Sequence, residues 1–305
     1  MEIKEWFRPA SSGWGQIFSR SWVEESSRPR AVIVIAHGMA EHSGRYSHFA
    51  RFLAGKGFAV YMNDHAGHGR SAQIKGHFAD NDGWECVVKD LCALMDQAVE
   101  RHPGLPVFML GHSMGSFLTR SFITRYGQRL AGCIICGTMG KNPGVPLGKA
   151  IASAQIKLLG PRSTGRRISR LSSAGYNKRI ENPVNDSAWL STDDEVCRVF
   201  EADPLSNFPF TAAGYRDLFI GLGEISSPDW ARKVPKELPV FLIAGDQDPV
   251  GNYGAGPRQV ADWLQAAGVH SVQLKLYPGM RHEVLNEIGR EEVYGDVLEW
   301  LEGRL

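Results

Sequence analysis

Short apolar runs alternate along the chain with longer helix-like stretches. Residues 31–36 read Ala-Val-Ile-Val-Ile-Ala. A run this short, β-branched and continuously apolar predicts a strand buried on both faces. The same pattern predicts strands at 58–63, 106–111, 132–137, 239–244 and 271–277. Helices are predicted between them, at 46–54, 84–101, 116–126, 255–267 and 291–301. Several of these end on stop signals: Gly55-Lys56-Gly57, His102-Pro103, Gly127 and Gly268. Strands alternating with helices imply an α/β fold, a mostly parallel sheet with helices on both faces. Residues 14–23 precede the first α/β unit with no helix between, which fits an antiparallel edge strand or hairpin.

The rhythm breaks between residues 140 and 235. No strand is predicted there. Gly140, Gly144 and Gly148 read as turn signals, and helical stretches follow, interrupted at Pro204, Pro209 and Pro228. The expected organisation is therefore a core of residues 1–139 and 236–305 with a helical insertion at 140–235. Its charge is divided. Residues 141–180 carry nine Lys/Arg and no acid, and residues 181–235 carry ten acids and four bases.

Composition narrows the function classes. At 43% hydrophobic residues, a chain of 305 buries a core and is not broadly disordered. A formal net charge of +1 argues against a nucleic-acid partner for the whole chain. The densest apolar run has six residues, far short of the about 20 a membrane span requires. No signal-peptide pattern opens the chain, and five scattered cysteines suggest no disulfide framework, so a cytoplasmic protein is expected.

The central chemical signal is Gly111-His112-Ser113-Met114-Gly115, which matches G-x-S-x-G between a predicted strand and a predicted helix. Such a turn projects a nucleophilic serine at strained backbone angles. Flanking glycines admit neighbouring chains, and the helix N-terminus offers N–H groups to a developing oxyanion. Serine needs a base. In the chain order Ser, acid, His, the candidates are Asp248, after the strand at 239–244, and His282, after the strand at 271–277. Both fall beyond C-terminal strand ends, where open α/β sheets bind ligands. Asp246 competes as the acid but reads better as a turn residue. A second oxyanion donor is expected after the strand at 31–36, in His37-Gly38-Met39. The backbone N–H groups of Met39 and Met114 are assigned as the donors, with His37 holding the loop.

These segments carry a resemblance. Residues 37–46 (His-Gly-Met-Ala-Glu-His-Ser-Gly-Arg-Tyr), 64–71 (Asp-His-Ala-Gly-His-Gly-Arg-Ser) and the elbow at 111–115 resemble the monoacylglycerol lipase and lysophospholipase branch of the α/β-hydrolases. The similarity spans roughly residues 25–140 and 236–300. It implies the α/β-hydrolase fold, Ser113 as nucleophile, His282 as base, Asp248 as its orienter, Met39 and Met114 as oxyanion donors, and the 140–235 insertion as a cap. Met39 stands where a smaller residue is common in that branch, which bears on the acyl pocket and not on the chemistry.

Other signals have plainer readings. Asp64, His65 and His68, with His37, His42 and His48 upstream, form no complete metal signature, and Gly67 and Gly69 mark a turn. Cys133 and Cys136 lie three apart on a strand, hence on opposite faces, as buried small residues. Leu147, Ala150, Ile151, Ala154 and Leu158 recur at helical spacing and are expected to pack on the core, although with the nearby basic run they also suit a lipid surface. Tyr176, Trp189, Phe208, Phe210, Tyr215 and Phe219 are candidates for the underside of the cap. The expected activity is hydrolysis of a single-chain acyl ester, a monoacylglycerol or lysophospholipid, with no metal or organic cofactor. The alternatives are a small-molecule or aromatic-acid esterase, a peptidase on the same triad, and an inactive scaffold.

Overall fold

The apolar runs form the centre of one eight-stranded sheet in the computed structural model, which describes residues 1–25 and 28–305. The strands are β1 (Glu2–Pro9), β2 (Gln16–Val23), β3 (Ala31–Ala36), β4 (Phe58–Asn63), β5 (Val107–His112), β6 (Gly132–Cys136), β7 (Val240–Gly245) and β8 (Val272–Tyr277). They are ordered β1-β2-β4-β3-β5-β6-β7-β8. β1 pairs antiparallel with β2, and β2 with β4; every other pair is parallel.

The helices are α1 (Ser47–Gly55), α2 (Gly83–Arg101), α3 (Met114–Tyr126), α4 (Val145–Leu159), α5 (Arg166–Ser173), α6 (Asp194–Ala202), α7 (Ala212–Ile225), α8 (Ala255–Ala266) and α9 (Arg290–Glu302). Alternate residues of each central strand feed two cores. On β3, Val32 and Val34 join Leu91 of α2, Leu118 of α3 and Leu264 of α8. Ile33 and Ile35 join Leu53 of α1 and Val297 of α9 on the other face. Burial on both faces is why these strands read as unbroken apolar runs. Cys133 and Cys136 fall in the two different cores as free thiols.

The edge was only half visible. Residues 14–23 do contribute β2, but β1 was not anticipated. Only Arg8 of its eight residues is buried, so it carries no apolar run. Glu2, Lys4 and Glu5 along it suit a sheet edge, where charge discourages pairing with another chain.

Between β6 and β7 the described chain contains helices and an isolated bridge, Thr164 to Thr211. α7 packs on α2 and α3, and α4 packs on α7. Two expectations are corrected here. Gly148 is not a turn. It lies inside α4 against the Phe219 ring, where an added Cβ would come within 2.4 Å of Cζ. The stripe through Leu147, Ala150, Ile151, Ala154 and Leu158 does not pack on the core either. It is exposed instead, Leu147 at 66% and Leu158 at 81%, and Leu147 and Ile151 border the cavity described below. The inner side of α4 is Val145, Gly148 and Ala152. Small residues let two helices approach closely, so size and not apolar bulk decides which side of α4 meets α7. No helix among the described residues is long and apolar enough to cross a membrane.

Candidate active site

Ser113 sits between β5 and α3 at φ 53°, ψ −121°, a region that residues other than glycine rarely occupy. The turn is too tight for side chains on either flank. A Cβ at Gly111 would lie 2.1 Å from the Gly115 carbonyl oxygen, and one at Gly115 would lie 2.0 Å from that of Ala36. Backbone bonds hold the strained residue. The Ser113 N–H donates to Cys136 O at 3.0 Å, and the Ser116 and Phe117 N–H groups donate to Ser113 O. Met114 opens α3, so its N–H belongs to the first-turn amides that have no acceptor within the helix.

His282 follows β8 and is buried. Its Nδ1 lies 3.0 Å from Oδ1 of Asp248, itself fully buried after β7. That oxygen accepts the Val250 N–H at 2.8 Å. The approach to Asp248 is an ion-pair distance and not a formed hydrogen bond: neither Nδ1 nor Nε2 of His282 has a hydrogen-bond partner among the described residues. Asp246 points elsewhere: its carboxylate accepts from the Gly279 N–H and the Gln247 amide, closing the turn.

The loop after β3 is clamped from both sides. Nδ1 of His37 lies 2.8 Å from the Gly38 carbonyl oxygen and, since a carbonyl only accepts, must carry the proton. Nε2 then accepts the His65 N–H at 3.0 Å. Opposite, Glu41 Oε1 accepts the Gly38 N–H at 2.6 Å. Fixing the Gly38 carbonyl fixes the direction of the Met39 N–H, because both belong to one planar peptide. His37, His65 and His68 cluster, with ring centroids 4.0 Å apart for the first pair. His65 and His68 also set ring nitrogens against backbone carbonyls.

Ser113, His282, Met39 and Met114 all line one cavity of about 720 Å³. Phe117 of α3, Leu147 and Ile151 of α4, and Leu218, Phe219 and Leu222 of α7 make its apolar wall. Asp186, Ser187, Glu201 and Asn207 contribute a polar wall. Tyr176, Trp189, Phe208, Tyr215 and Phe219 reach the cavity, whereas Phe210 does not line it and packs in the core.

A family profile described as "Serine aminopeptidase, S33" matches residues 27–289. The chain belongs to the S33 family of α/β-hydrolases. It is 34% identical to a monoacylglycerol lipase of Mycolicibacterium smegmatis over 97% of this chain and 96% of that protein. It is 28% identical to the human (Homo sapiens) monoglyceride lipase over 94% and 87% of the two chains. A solved structure of a highly thermostable carboxyl esterase from Bacillus coagulans, in complex with glycerol, superposes with a TM-score of 0.94 at 32% identity, covering 99% of each chain. Within the α/β-hydrolases the chain thus lies in the monoacylglycerol lipase branch and is a carboxylic ester hydrolase.

Under the site, this α/β-hydrolase buries an ion network that the linear pattern did not reveal. Arg45 binds Glu41 at 2.6 Å and Glu283 through both terminal nitrogens at 2.7 Å. Tyr46 donates its hydroxyl proton to Glu41 and lies 2.8 Å from Nδ1 of His112. His112 Nε2 is 3.2 Å from the His282 carbonyl oxygen. Both ring nitrogens of His112 therefore face acceptors, which assigns the imidazolium. Two carboxylates and two cations balance. Burial alone would lower the His112 pKa, but the hydrogen bond and charge of Glu41 hold it above the ordinary value. Burial likewise opposes ionisation of Glu41, yet Arg45 and His112 keep its pKa well below the usual range.

The histidines predict a stability profile with two limbs. His112 has a raised folded pKa, so its stabilisation is complete below about pH 6.5, the unfolded value, and is lost as pH rises through the folded value. Burial pushes His65 down to about 3 and His68 to about 4, so for them stability falls as pH drops below about 6.5. Thermal unfolding measured from pH 4 to 9 should show both limbs, and His112→Gln should flatten the alkaline one. An unchanged alkaline limb in that variant would mean that His112 is neutral.

Proposed function

We propose that the chain hydrolyses single-chain acylglycerols, monoacylglycerol foremost, through Ser113, His282 and Asp248. His282 Nε2 takes the Ser113 proton as Oγ attacks the acyl carbonyl. Asp248 stabilises the imidazolium, and the Met39 and Met114 N–H groups hold the oxyanion. His282 then protonates the departing glycerol oxygen. A water, deprotonated by the same imidazole, releases the fatty acid from Ser113.

The observation that carries this reading is the two-sided cavity. Its apolar wall suits one acyl chain, and its polar wall suits a small hydroxylated head. Asp186 and Glu201 on that wall outnumber Arg170 on the same cavity and favour a neutral diol over a phosphate. The glycerol in the Bacillus coagulans esterase supports the same alcohol. Those carboxylates also favour one second reading, a peptide with a protonated N-terminal amine.

In this reading the insertion between β6 and β7 acts as the cap, and its outer surface meets lipid. Leu158 and Leu159, 81% and 70% exposed, follow Lys157 in the chain and precede Arg166 and Arg167 by a few residues, with no acid in the segment to repel an anionic surface.

One panel tests all of this. Monoacylglycerol in anionic vesicles should be turned over at least tenfold faster than lysophosphatidylcholine or an amino-acid anilide. The double variant Leu158→Ser/Leu159→Ser should lose vesicle binding and keep wild-type rates on soluble p-nitrophenyl butyrate. A strict preference for acetyl esters, or faster anilide cleavage, would sink the lipid reading.

A further inference from the structure

The insertion does more than roof the cavity: a strip of it, residues 188–192, is bonded directly to the loop that carries His282. The His282 N–H donates to Trp189 O at 3.4 Å and the Glu283 N–H to Leu190 O at 2.7 Å. The Trp189 indole stands 5.0 Å from the His282 imidazole, ring to ring. Two side chains of the loop close the joint. Arg281 Nη1 donates to Ala188 O at 2.7 Å and to Ser191 O at 2.8 Å. Glu287, buried, collects the Thr192 N–H at 2.9 Å, the Ser191 hydroxyl at 3.1 Å and the Thr192 hydroxyl, and accepts the Arg281 N–H at 2.6 Å from its own loop.

His282 is thereby held at three points from three parts of the chain. Asp248 faces the imidazole, His112 meets the carbonyl, and the strip takes the N–H. The third comes only from the insertion. A cover that merely shapes the acyl pocket would have no reason to bond the backbone of the base.

We propose that Arg281 and Glu287 are positioning residues that clamp the strip 188–192 onto the His282 loop, so that the insertion completes the catalytic geometry. This rests on the assignment of His282 as the base. Catalysis then depends on the strip being docked, whatever ester is bound. Displacement of a reacting group by about 1 Å costs on the order of 100-fold.

The test uses p-nitrophenyl acetate, whose short acyl group makes little use of the apolar wall. Arg281→Ala and Glu287→Gln should each lower kcat on this ester about 10- to 100-fold. KM should stay within about threefold, and the acid limb of the kcat/KM profile should move as His282 loosens from Asp248. Arg281→Lys, which keeps a donor within reach of one carbonyl, should recover part of kcat. Circular dichroism and thermal unfolding check that each variant is folded. Should Glu287→Gln fail to fold, Arg281→Ala and Arg281→Lys carry the comparison. Wild-type kcat on the acetate in folded Arg281→Ala, or a change confined to KM on long esters, would overturn the proposal. A triad misassignment reads out differently, as residual activity in Ser113→Ala with the wild-type insertion in place.

Discussion

Ser113→Ala should lose on the order of 10⁶ in kcat on any ester the wild-type enzyme cleaves. The expectation follows from the turn. Its strain, φ 53° at a residue with a side chain, is stored by backbone bonds to Cys136, Ser116 and Phe117 that an alanine retains. The Ser113 hydroxyl caps nothing at the start of α3, so removing it should leave folding intact. On the proposed mechanism the loss is then chemical: without Oγ no acyl-enzyme would form, and His282 would have no proton to take. The proposed oxyanion donors and the cavity remain, and they would account for the residual rate over water that such variants keep. A fluorophosphonate probe should label the wild-type protein stoichiometrically and the variant not at all. Esterase activity retained in a folded variant would place the nucleophile elsewhere. An unlabelled wild-type protein would favour the inactive-scaffold alternative.

Much of this arrangement could be read from the chain because its causes are local. Strands buried on both faces have to be continuously apolar, so β3 to β7 announce themselves. A serine elbow needs Gly111 and Gly115, since a Cβ at either position would strike backbone, and that need appears as a five-residue motif. The turn geometry also separates Asp248 from Asp246, two residues apart: one faces His282 and the other closes the turn. What stayed hidden was set by partners distant in sequence. Arg45 and Glu283 are 238 positions apart, and only folding shows that Glu41 and Arg45, visible in the motif, belong to a buried ion network. The exposed stripe of α4 misled for a related reason. Periodicity shows that a helix has an apolar side, but here Gly148 and Ala152 let the other side approach α7 more closely. The edge strand β1 has no apolar side to show. The bonds from Arg281 and Glu287 to the strip 188–192 left no trace either, because their acceptors and donors are largely backbone groups.

Asp248→Asn should lower kcat by on the order of 10⁴ while leaving the fold in place. Asparagine has the shape of aspartate and can still accept the Val250 N–H, so the turn after β7 should form as before. What disappears is the charge 3.0 Å from His282 Nδ1. In the proposed mechanism, the imidazolium that forms as Ser113 attacks then loses its counter-ion among buried groups, where an unpaired charge is costly. The other charges nearby cannot substitute, since Glu41 and Glu283 are already committed to Arg45 and His112. Asp246→Asn is the control. Its task is to accept the Gly279 N–H, which an asparagine oxygen also does, so its kcat should stay within about threefold of wild type. KM for a short ester should change little in either variant, because neither carboxylate lines the cavity. If Asp246→Asn were the damaged variant and Asp248→Asn the near-normal one, the orienting acid would have to be reassigned despite the shorter approach of Asp248. If both retained full activity, His282 would be acting without a carboxylate partner and the hydrolysis would need a different base.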